Sequence, residues 1–187
     1  APALATYAFV CFGVPAILLA PVWSALGQRI GKKGGFAVAT IVQVVGFAGL
    51  LAARDAGPVV MLIAAGIVGI GYAGGQLFPL AMLPDIAAAD AARSGTNRIG
   101  MISGVWSGFE LLGYALGPAL LGLVMGIGGY VASTGAETPQ SDAAQWAIML
   151  GVSAIPAVLC AASLVPLSRY RLDARLRAQV TIASGSA

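Results

Sequence analysis

The chain has 187 residues, of which 59% are hydrophobic and 9% are charged, and its mean hydropathy is +0.91. A water-soluble domain carries about 25% charged residues, so this composition excludes a soluble globule and indicates a polytopic helical membrane protein. The absence of histidine excludes a histidine-based metal site or proton relay. Cys11 and Cys160 lie in apolar stretches and are interpreted as small buried hydrophobes, not as a disulfide pair.

Five apolar stretches are long enough to cross about 30 Å of hydrocarbon as helices. In chain order they cover residues 4–26, 36–53, 58–82, 99–126 and 144–167. The predicted fold class is therefore all-α, with five transmembrane helices.

The connections between these stretches carry nearly all the charge, and their basic residues alternate. Counting Lys and Arg gives 3, 1, 2 and 0 in the four connections and 4 in the C-terminal tail. Cytoplasmic segments carry the excess of basic residues, which predicts an N-terminus outside and a cytoplasmic C-terminus with a tail over 168–187. The basic residues on this side are Arg29, Lys32, Lys33, Arg93, Arg98, Arg169, Arg171, Arg175 and Arg177. Beside a membrane, the tail arginines are expected to attract anionic lipid headgroups, and no nucleic-acid partner is expected.

The chain begins with Ala1, and an outside N-terminus is awkward to produce without an earlier span. We therefore expect a fragment, preceded by one more helix that completes a bundle of six. The lipid bilayer and the remaining part of the same protein are its expected partners.

Glu110 is the only ionisable residue well inside an apolar stretch. A carboxylate at that depth costs about 2.5–3.5 kcal/mol on insertion scales, so it is expected to face a bundle interior or a watery cavity. The helical period of 3.6 residues places it on a face with hydroxyls and aromatics, opposite an apolar face. The shared face holds Ser103, Trp106, Ser107, Gly113, Tyr114 and Gly117; the opposite face holds Ile102, Val105, Phe109, Leu112, Leu116 and Leu120.

Two interpretations of these polar positions stay open. Glu110 either binds a cation, a proton or a substrate hydroxyl, or it is protonated and joins two helices. On the third helix, Tyr72 and Gln76 share a stripe with Gly69 and Pro79. They either bind a polar ligand, for which Gly69 leaves room, or satisfy each other across helix contacts.

Two further features of the spans predict helix packing. Gln43 is the strongly polar side chain in the middle of the second stretch, and we expect it to hydrogen-bond between helices. Gly71 and Gly75 form a G-x-x-x-G step, which allows two membrane helices to approach closely.

No enzyme chemistry is indicated by the sequence. Residues 69–74 spell G-x-G-x-x-G, but they lie inside an apolar span and not after a strand, which excludes a dinucleotide site. No metal-ligand cluster or nucleophile–base pair is present. We therefore expect no enzyme, no metal site and no cofactor apart from a coupling Na+ or H+.

Three segments resemble the glycoside–pentoside–hexuronide:cation symporters, the melibiose-permease-like branch of the major facilitator superfamily. The first, with Leu83-Pro84-Asp85, Arg93-Ser94-Gly95 and Arg98-Ile99-Gly100, resembles a cytoplasmic loop of that family. It is followed by Gly104-Val105-Trp106, Glu110, Leu112-Gly113-Tyr114 and Gly117-Pro118, which are similar to its eleventh helix. Arg29-Ile30-Gly31-Lys32-Lys33 looks like its basic loop between helices eight and nine.

The resemblance implies that residues 1–187 are helices eight to twelve of twelve, part of the six-helix C-terminal bundle, with the N-terminal half missing. Such carriers enclose a midplane cavity and alternate access by rocking their two halves. We expect the cavity for substrate and cation to be lined by Glu110, Trp106, Tyr114, Tyr72 and Gln76. We expect a cytoplasmic gate network of Asp85, Asp90, Arg93, Arg98 and Arg29.

Four positions depart from the family pattern. Ala88 replaces an aspartate, Ile99 a glutamate, Leu111 a lysine, and Gln28 the acidic residue of the basic loop. The leading hypothesis is a secondary transporter of the bacterial inner membrane that couples a cation to uptake of a sugar or glycoside. Alternatives are a lysolipid or other amphipath symporter of the same family, and a non-transporting assembly subunit or degenerate carrier.

Overall fold

The structure, a computed structural model, describes residues 2–132 and 139–170. The ordered elements in these two ranges are all helical, which confirms the predicted all-α class. They are α1 (Pro2–Leu18), α2 (Ala20–Ala56), α3 (Pro58–Ser94), α4 (Ile99–Ile127), α5 (Asp142–Met149), a π-helical turn (Leu150–Ala154) and α6 (Ile155–Arg169). The tail residues Arg171, Arg175 and Arg177 lie outside the described residues.

Among the described residues, four helical stretches contain a segment that is long and apolar enough to cross a membrane. They are Ala20–Ala56, Pro58–Ser94, Ile99–Ile127 and Asp142–Arg169, and α1 is a shorter apolar helix. The predicted first span does not form one helix, because α1 ends at Leu18 and α2 begins at Ala20. The backbone nitrogen of Leu19 donates to the Pro15 carbonyl, and that of Trp23 donates to the Leu19 carbonyl, so the helical hydrogen-bond pattern continues on both sides of this break.

Gly31 replaces the connection predicted between the first two spans. Helical backbone runs up to it and resumes directly after it within α2, while Gly31 itself has φ 83° and ψ 159°. Glycine reaches positive φ without steric cost, so a single residue is enough to redirect the chain. The two parts of α2 then pack against α3 in opposite directions.

The order of contacts along α3 demonstrates this reversal. Before Gly31, residue numbers increase together along α3 and along the segment that contacts it, so the two segments run parallel. After Gly31, residue numbers increase along α2 as they decrease along α3, so these two segments run antiparallel. The pairs before the turn are Cys11–Gly66, Phe12–Gly69, Trp23–Gly74 and Gly27–Phe78; those after it are Gly35–Phe78, Ala39–Gly74, Gln43–Gly71, Gly46–Val68 and Gly49–Ala64. Thus α3 lies at the centre of this part of the bundle.

The core is formed where Phe78 of α3 inserts between two glycines of α2. Phe78 is 2% exposed, and its ring fills the space that side chains at Gly27 and Gly35 would need. Trp23 packs edge-on against this ring and donates from Nε1 to the Ile70 carbonyl at 2.8 Å. The predicted close approach at Gly71 is also confirmed, since a Cβ there would lie 2.6 Å from the Gln43 backbone nitrogen.

Helix α3 continues beyond the predicted span end at residue 82, as far as Ser94. The segment from Ile86 onward is rich in alanine, the strongest helix former, and this propensity overrides its charges. The helix ends at Gly95, whose φ of 69° and hydrogen bond to the Ala91 carbonyl form a left-handed C-cap. The predicted charged loop is therefore mostly helix.

Candidate functional site: a cavity between α3 and α4

A cavity of about 460 Å³ lies between the polar stripes of α3 and α4. All five residues predicted for the substrate and cation cavity line it. The full lining is Tyr72, Gln76, Trp106, Phe109, Glu110, Gly113 and Tyr114. Helical periodicity explains the grouping, because residues three and four apart share one face of each helix.

The polar groups of the cavity are joined within each helix. Tyr114 donates from its hydroxyl to Oε1 of Glu110 at 3.3 Å, and Gln76 donates from Nε2 to the Tyr72 hydroxyl at 3.0 Å. Both pairs are four residues apart on their own helix. The alternative in which Glu110 joins two helices therefore finds no hydrogen bond to α3 among the described residues.

Trp106 contributes a donor that has no partner. Its Nε1 atom is buried and makes no hydrogen bond with any residue in the described ranges. A buried polar group left unsatisfied costs about 1–3 kcal/mol. An acceptor oxygen that reaches this buried N–H after a movement of the side chain recovers this free energy.

Together these groups suit a ligand with several hydroxyls. The Glu110 carboxylate accepts hydrogen bonds only, the Gln76 amide donates and accepts, and the Trp106 indole only donates. Aromatic rings at Tyr72, Trp106 and Tyr114 supply apolar faces beside them. Pockets that bind small molecules have volumes of about 300–1,000 Å³ and combine apolar walls with a few placed polar groups, as here.

Two cavity residues were not predicted as site residues. Phe109 was assigned to the opposite, apolar face of α4, but it lines the cavity. The reason is geometric: three residues from Trp106, it lies only about 60° around the helix from it. Gly113 was placed on the correct face, and it lines the cavity without a side chain.

Gly69 and Gln43 do not take the places expected of them. Gly69 faces α1, where its missing side chain makes room for the Phe12 backbone and not for a ligand. Gln43 lies against Gly75 with Oε1 at 3.5 Å from a Cβ position there. Its side chain makes no hydrogen bond with any described residue, so an interhelical bond at Gln43 is absent within those ranges.

The predicted gate residues are not joined in one network. Asp85 pairs with Lys32, with Nζ 2.5 Å from Oδ2, and Lys32 also donates to the Ala81 carbonyl at 2.8 Å. Arg29 and Arg93 form no ion pair with a described residue, and Arg98 donates to the Thr96 hydroxyl at 3.1 Å. Lys32 was used only to predict the topology, and its ion pair with Asp85 was not predicted. Its position directly after Gly31, where the chain turns, is the sequence signal that could have indicated this pairing.

Asp90 and Lys33 make different contacts from the Lys32–Asp85 pair. Oδ2 of Asp90 is buried and lacks a hydrogen-bond partner within the described ranges. Lys33 donates to the carbonyls of Ser168 at 2.8 Å and Tyr170 at 2.7 Å, where α6 ends. A lysine at a helix C-terminus satisfies free carbonyls and complements the helix dipole.

The two ends of the bundle are therefore defined by separate contacts. Lys32 and Lys33 bring the Gly31 turn, residues 81–85 of α3 and the end of α6 together at one end of the bundle. At the other end the Arg54 guanidinium lies 4.1 Å from the centre of the Trp146 ring, joining the end of α2 to the start of α5. The described parts of the three segments predicted to be cytoplasmic thus share one end, through the contacts of Lys32 with Asp85 and of Lys33 with Ser168.

The chain matches the family described as "MFS/sugar transport protein" over residues 1–174. It is 30% identical over 152 residues to the "Uncharacterized symporter sll1374" of Synechocystis sp., which covers 80% of this chain and 28% of that protein. It is 30% identical over 162 residues to the "Uncharacterized symporter YnaJ" of Bacillus subtilis, which covers 86% of this chain and 34% of that protein. The chain therefore spans about a third of the length of these two relatives. No solved structure matches it.

Proposed function

The chain belongs to the MFS/sugar transport protein family, and on this premise we propose that the whole protein is a cation-coupled symporter of a sugar or glycoside. Family membership makes it a membrane transporter and not an enzyme. Alternating access is the proposed mechanism, with the bundle described here as one of the two rocking bodies.

The observation that supports this proposal is the grouping of five polar and aromatic side chains in one cavity. A carboxylate, an amide and the rings of Tyr72, Trp106 and Tyr114 line a space of about 460 Å³ between α3 and α4. These groups match the donors and acceptors of a hydroxylated ring, whose apolar face packs against aromatic rings. The relatives named as symporters add support for coupling to a second solute.

Glu110 is the proposed meeting point of cation and substrate. Its carboxylate is the only acidic group lining the cavity, and Tyr114 is its single hydrogen-bond donor among the described residues. Protonation neutralises this carboxylate and a bound Na+ offsets its charge, so that either ion changes its affinity for substrate hydroxyls. The free energy of the ion gradient is coupled to the substrate in this way.

We further propose that the end bearing Lys32 and Lys33 faces the cytoplasm of the bacterial plasma membrane. The support is the positive-inside rule together with the location of the described parts of the three basic segments at one end. In this orientation the start of α1 lies at the outer face of the membrane, and α6 ends at the cytoplasmic face.

The full-length protein, reconstituted in liposomes, tests the transport proposal. Labelled sugars, glycosides and lysolipids are offered under an imposed Na+ or H+ gradient. Accumulation of a sugar or glycoside above equilibrium, lost when an ionophore collapses the gradient, is the expected result. Accumulation of lysolipid alone contradicts the substrate class, and a failure to accumulate any of these solutes contradicts transport.

A further inference from the structure

A second cavity lies beside the first, towards the basic end of the bundle. It has a volume of about 270 Å³ and is lined by residues of α2, α3, α4 and the end of α6. Its lining is mainly apolar and includes Phe36, Met82, Leu83, Ile86 and Leu167. Tyr170, whose carbonyl accepts a hydrogen bond from Lys33, places one edge of this cavity at the basic end.

Trp106 is the residue that lines both cavities. Towards one side its indole faces the space that contains Glu110 and Gln76. Towards the other it faces the apolar space bounded by Ile86 and Leu167. The indole therefore forms a partition between the polar cavity and the basic end.

No hydrogen bond holds the indole in this position. Its Nε1 atom is buried without a partner among the described residues, whereas Ser163, which carries a hydroxyl, lines the second cavity. That hydroxyl donates to the Cys160 carbonyl at 2.7 Å, and its oxygen keeps lone pairs that can accept. An indole that swings into the second cavity thus approaches an acceptor which it lacks in its present position.

Helix α4, which carries Trp106, is loosely held by the rest of the described chain. None of its residues is buried. Around Gly104, Gly108 and Gly113, an added Cβ would meet no described atom within 4 Å. The glycines on either side of Trp106, Gly104 and Gly108, therefore carry no side chain that obstructs a turn of its indole.

We propose that Trp106 is the inner gate of the substrate cavity, and that the second cavity is the space into which its indole swings. In the present position the indole closes the polar cavity towards the basic end. In the other position the two cavities join, and Nε1–H donates to Ser163. The purpose of this gate rests on the proposed transport function, but its movement can be measured without transport.

Thiol accessibility in the full-length protein measures that movement. Ser163→Cys is made in a background in which Cys11, Cys160 and any other cysteine are replaced, and labelling by N-ethylmaleimide is timed. We expect Trp106→Ala to speed labelling by roughly tenfold, equivalent to ~1.4 kcal/mol of protection, whereas Trp106→Phe keeps most of the protection. An equal labelling rate in all three proteins overturns the proposal.

The matched control for labelling is Val165→Cys. Val165 is on the same helix as Ser163 but is 64% exposed and does not line the second cavity. Its labelling rate is expected to be the same with Trp106 or Ala at position 106. A parallel increase at Val165→Cys means that Trp106→Ala loosens the whole bundle, and this result also overturns a local gate.

Filling the second cavity tests whether the indole needs that space. Leu167→Phe places a larger ring in the cavity, and Val165→Phe places the same ring on an exposed part of α6. Leu167→Phe is expected to lower kcat for uptake by roughly tenfold with KM within about twofold, because opening and not binding is hindered. Equal kcat in the two variants contradicts the gate.

Wild-type protein that transports no solute contradicts the proposed function instead, and the labelling result still decides the gate.

Discussion

Tyr114 donates a hydrogen bond from its hydroxyl to Oε1 of Glu110 across one turn of α4, with 3.3 Å between the two oxygens. Hydroxyl–oxygen bonds are usually about 2.7–2.8 Å long, so this contact is a weak one. The function proposed for Glu110 requires its carboxylate to exchange the tyrosine for a cation or a substrate hydroxyl, and a weak contact favours such an exchange. The pair therefore positions Glu110 without fixing it.

The first prediction concerns the charge of Glu110. In the full-length protein, Glu110→Gln keeps the size of the side chain and removes its ability to ionise. Because hydrogen bonds to charged groups contribute about 1.5–3 kcal/mol, gradient-driven uptake should fall by about tenfold or more. Uptake is measured across pH and Na+ concentration in proteoliposomes.

The control for this prediction is Tyr114→Phe, which removes the donor and leaves the carboxylate. A neutral bond contributes about 0.5–1.5 kcal/mol, so only a few-fold loss is expected. Wild-type accumulation and ion dependence in Glu110→Gln contradict the role proposed for Glu110.

The second prediction concerns the ion pair at the basic end. Lys32 and Asp85 have side chains 37% and 24% exposed, so their pairing contributes only about 0.2–1 kcal/mol. Lys32→Met and Asp85→Asn are each expected to lower the thermal unfolding temperature in detergent. Combined, they should cost less than the sum of the single changes, because both remove one shared interaction.

Arg29→Met is the matched control for the ion pair. Arg29 lies just before the same turn and forms no ion pair with a described residue, so its removal should leave the unfolding temperature nearly unchanged. Strict additivity of Lys32→Met and Asp85→Asn is the outcome that refutes coupling between the two side chains.

The third prediction concerns the fit of Phe78 against α2. A Cβ at Gly35 would collide with the Phe78 ring, whereas a Cβ at Gly34 would meet Ile30 at an ordinary 3.4 Å. Gly35→Ala should therefore lower the free energy of unfolding by about 1–3 kcal/mol through overpacking. Gly34→Ala, the neighbouring control, should not, and Phe78→Leu should partly rescue Gly35→Ala.

The fourth prediction concerns the contact between α1 and α3. A side chain at Gly69 would run into the Phe12 backbone, with its Cβ 3.0 Å from the Phe12 Cα, whereas Gly66 has its nearest neighbour at 3.5 Å. Backbone cannot move aside as a flexible side chain can, so Gly69→Ala should displace α1. Limited proteolysis of the loosened helix measures this effect, and similar cleavage of Gly66→Ala and Gly69→Ala contradicts it.

The candidate cavity could be largely predicted from periodicity. Tyr72 with Gln76, and Trp106 with Glu110 and Tyr114, each lie at helical spacing, so each helix necessarily brings its own set to one face. The spacing of residues within each helix does not indicate that the two faces meet across one cavity, because that depends on how α3 and α4 pack in the tertiary structure. Phe109 was missed because a two-face division of α4 ignores residues near its boundary.

The cytoplasmic pairing could not be predicted in the same way. Arg29, Lys32 and Lys33 are close in sequence and carry the same charge, so composition cannot select among them. The backbone at Gly31 makes the selection, because its positive φ directs Lys32 towards α3 and Lys33 towards the end of α6. The length of α3 was underestimated because the prediction ended the span where the apolar run ends, whereas helical hydrogen bonding continues into the charged segment that follows.

The sequence by itself determined the membrane class, the helical content and the grouping of the polar residues on α3 and α4, since these depend on composition and local period. The tertiary structure decided which faces meet, which lysine pairs with Asp85, and that Trp106 lines two cavities with its N–H lacking a partner among the described residues. The physical reason is that contacts between helices depend on where glycines let backbones approach. At Gly69 and Gly71 that approach is to backbone and at Gly35 to the Phe78 ring, and these partners are distant in sequence.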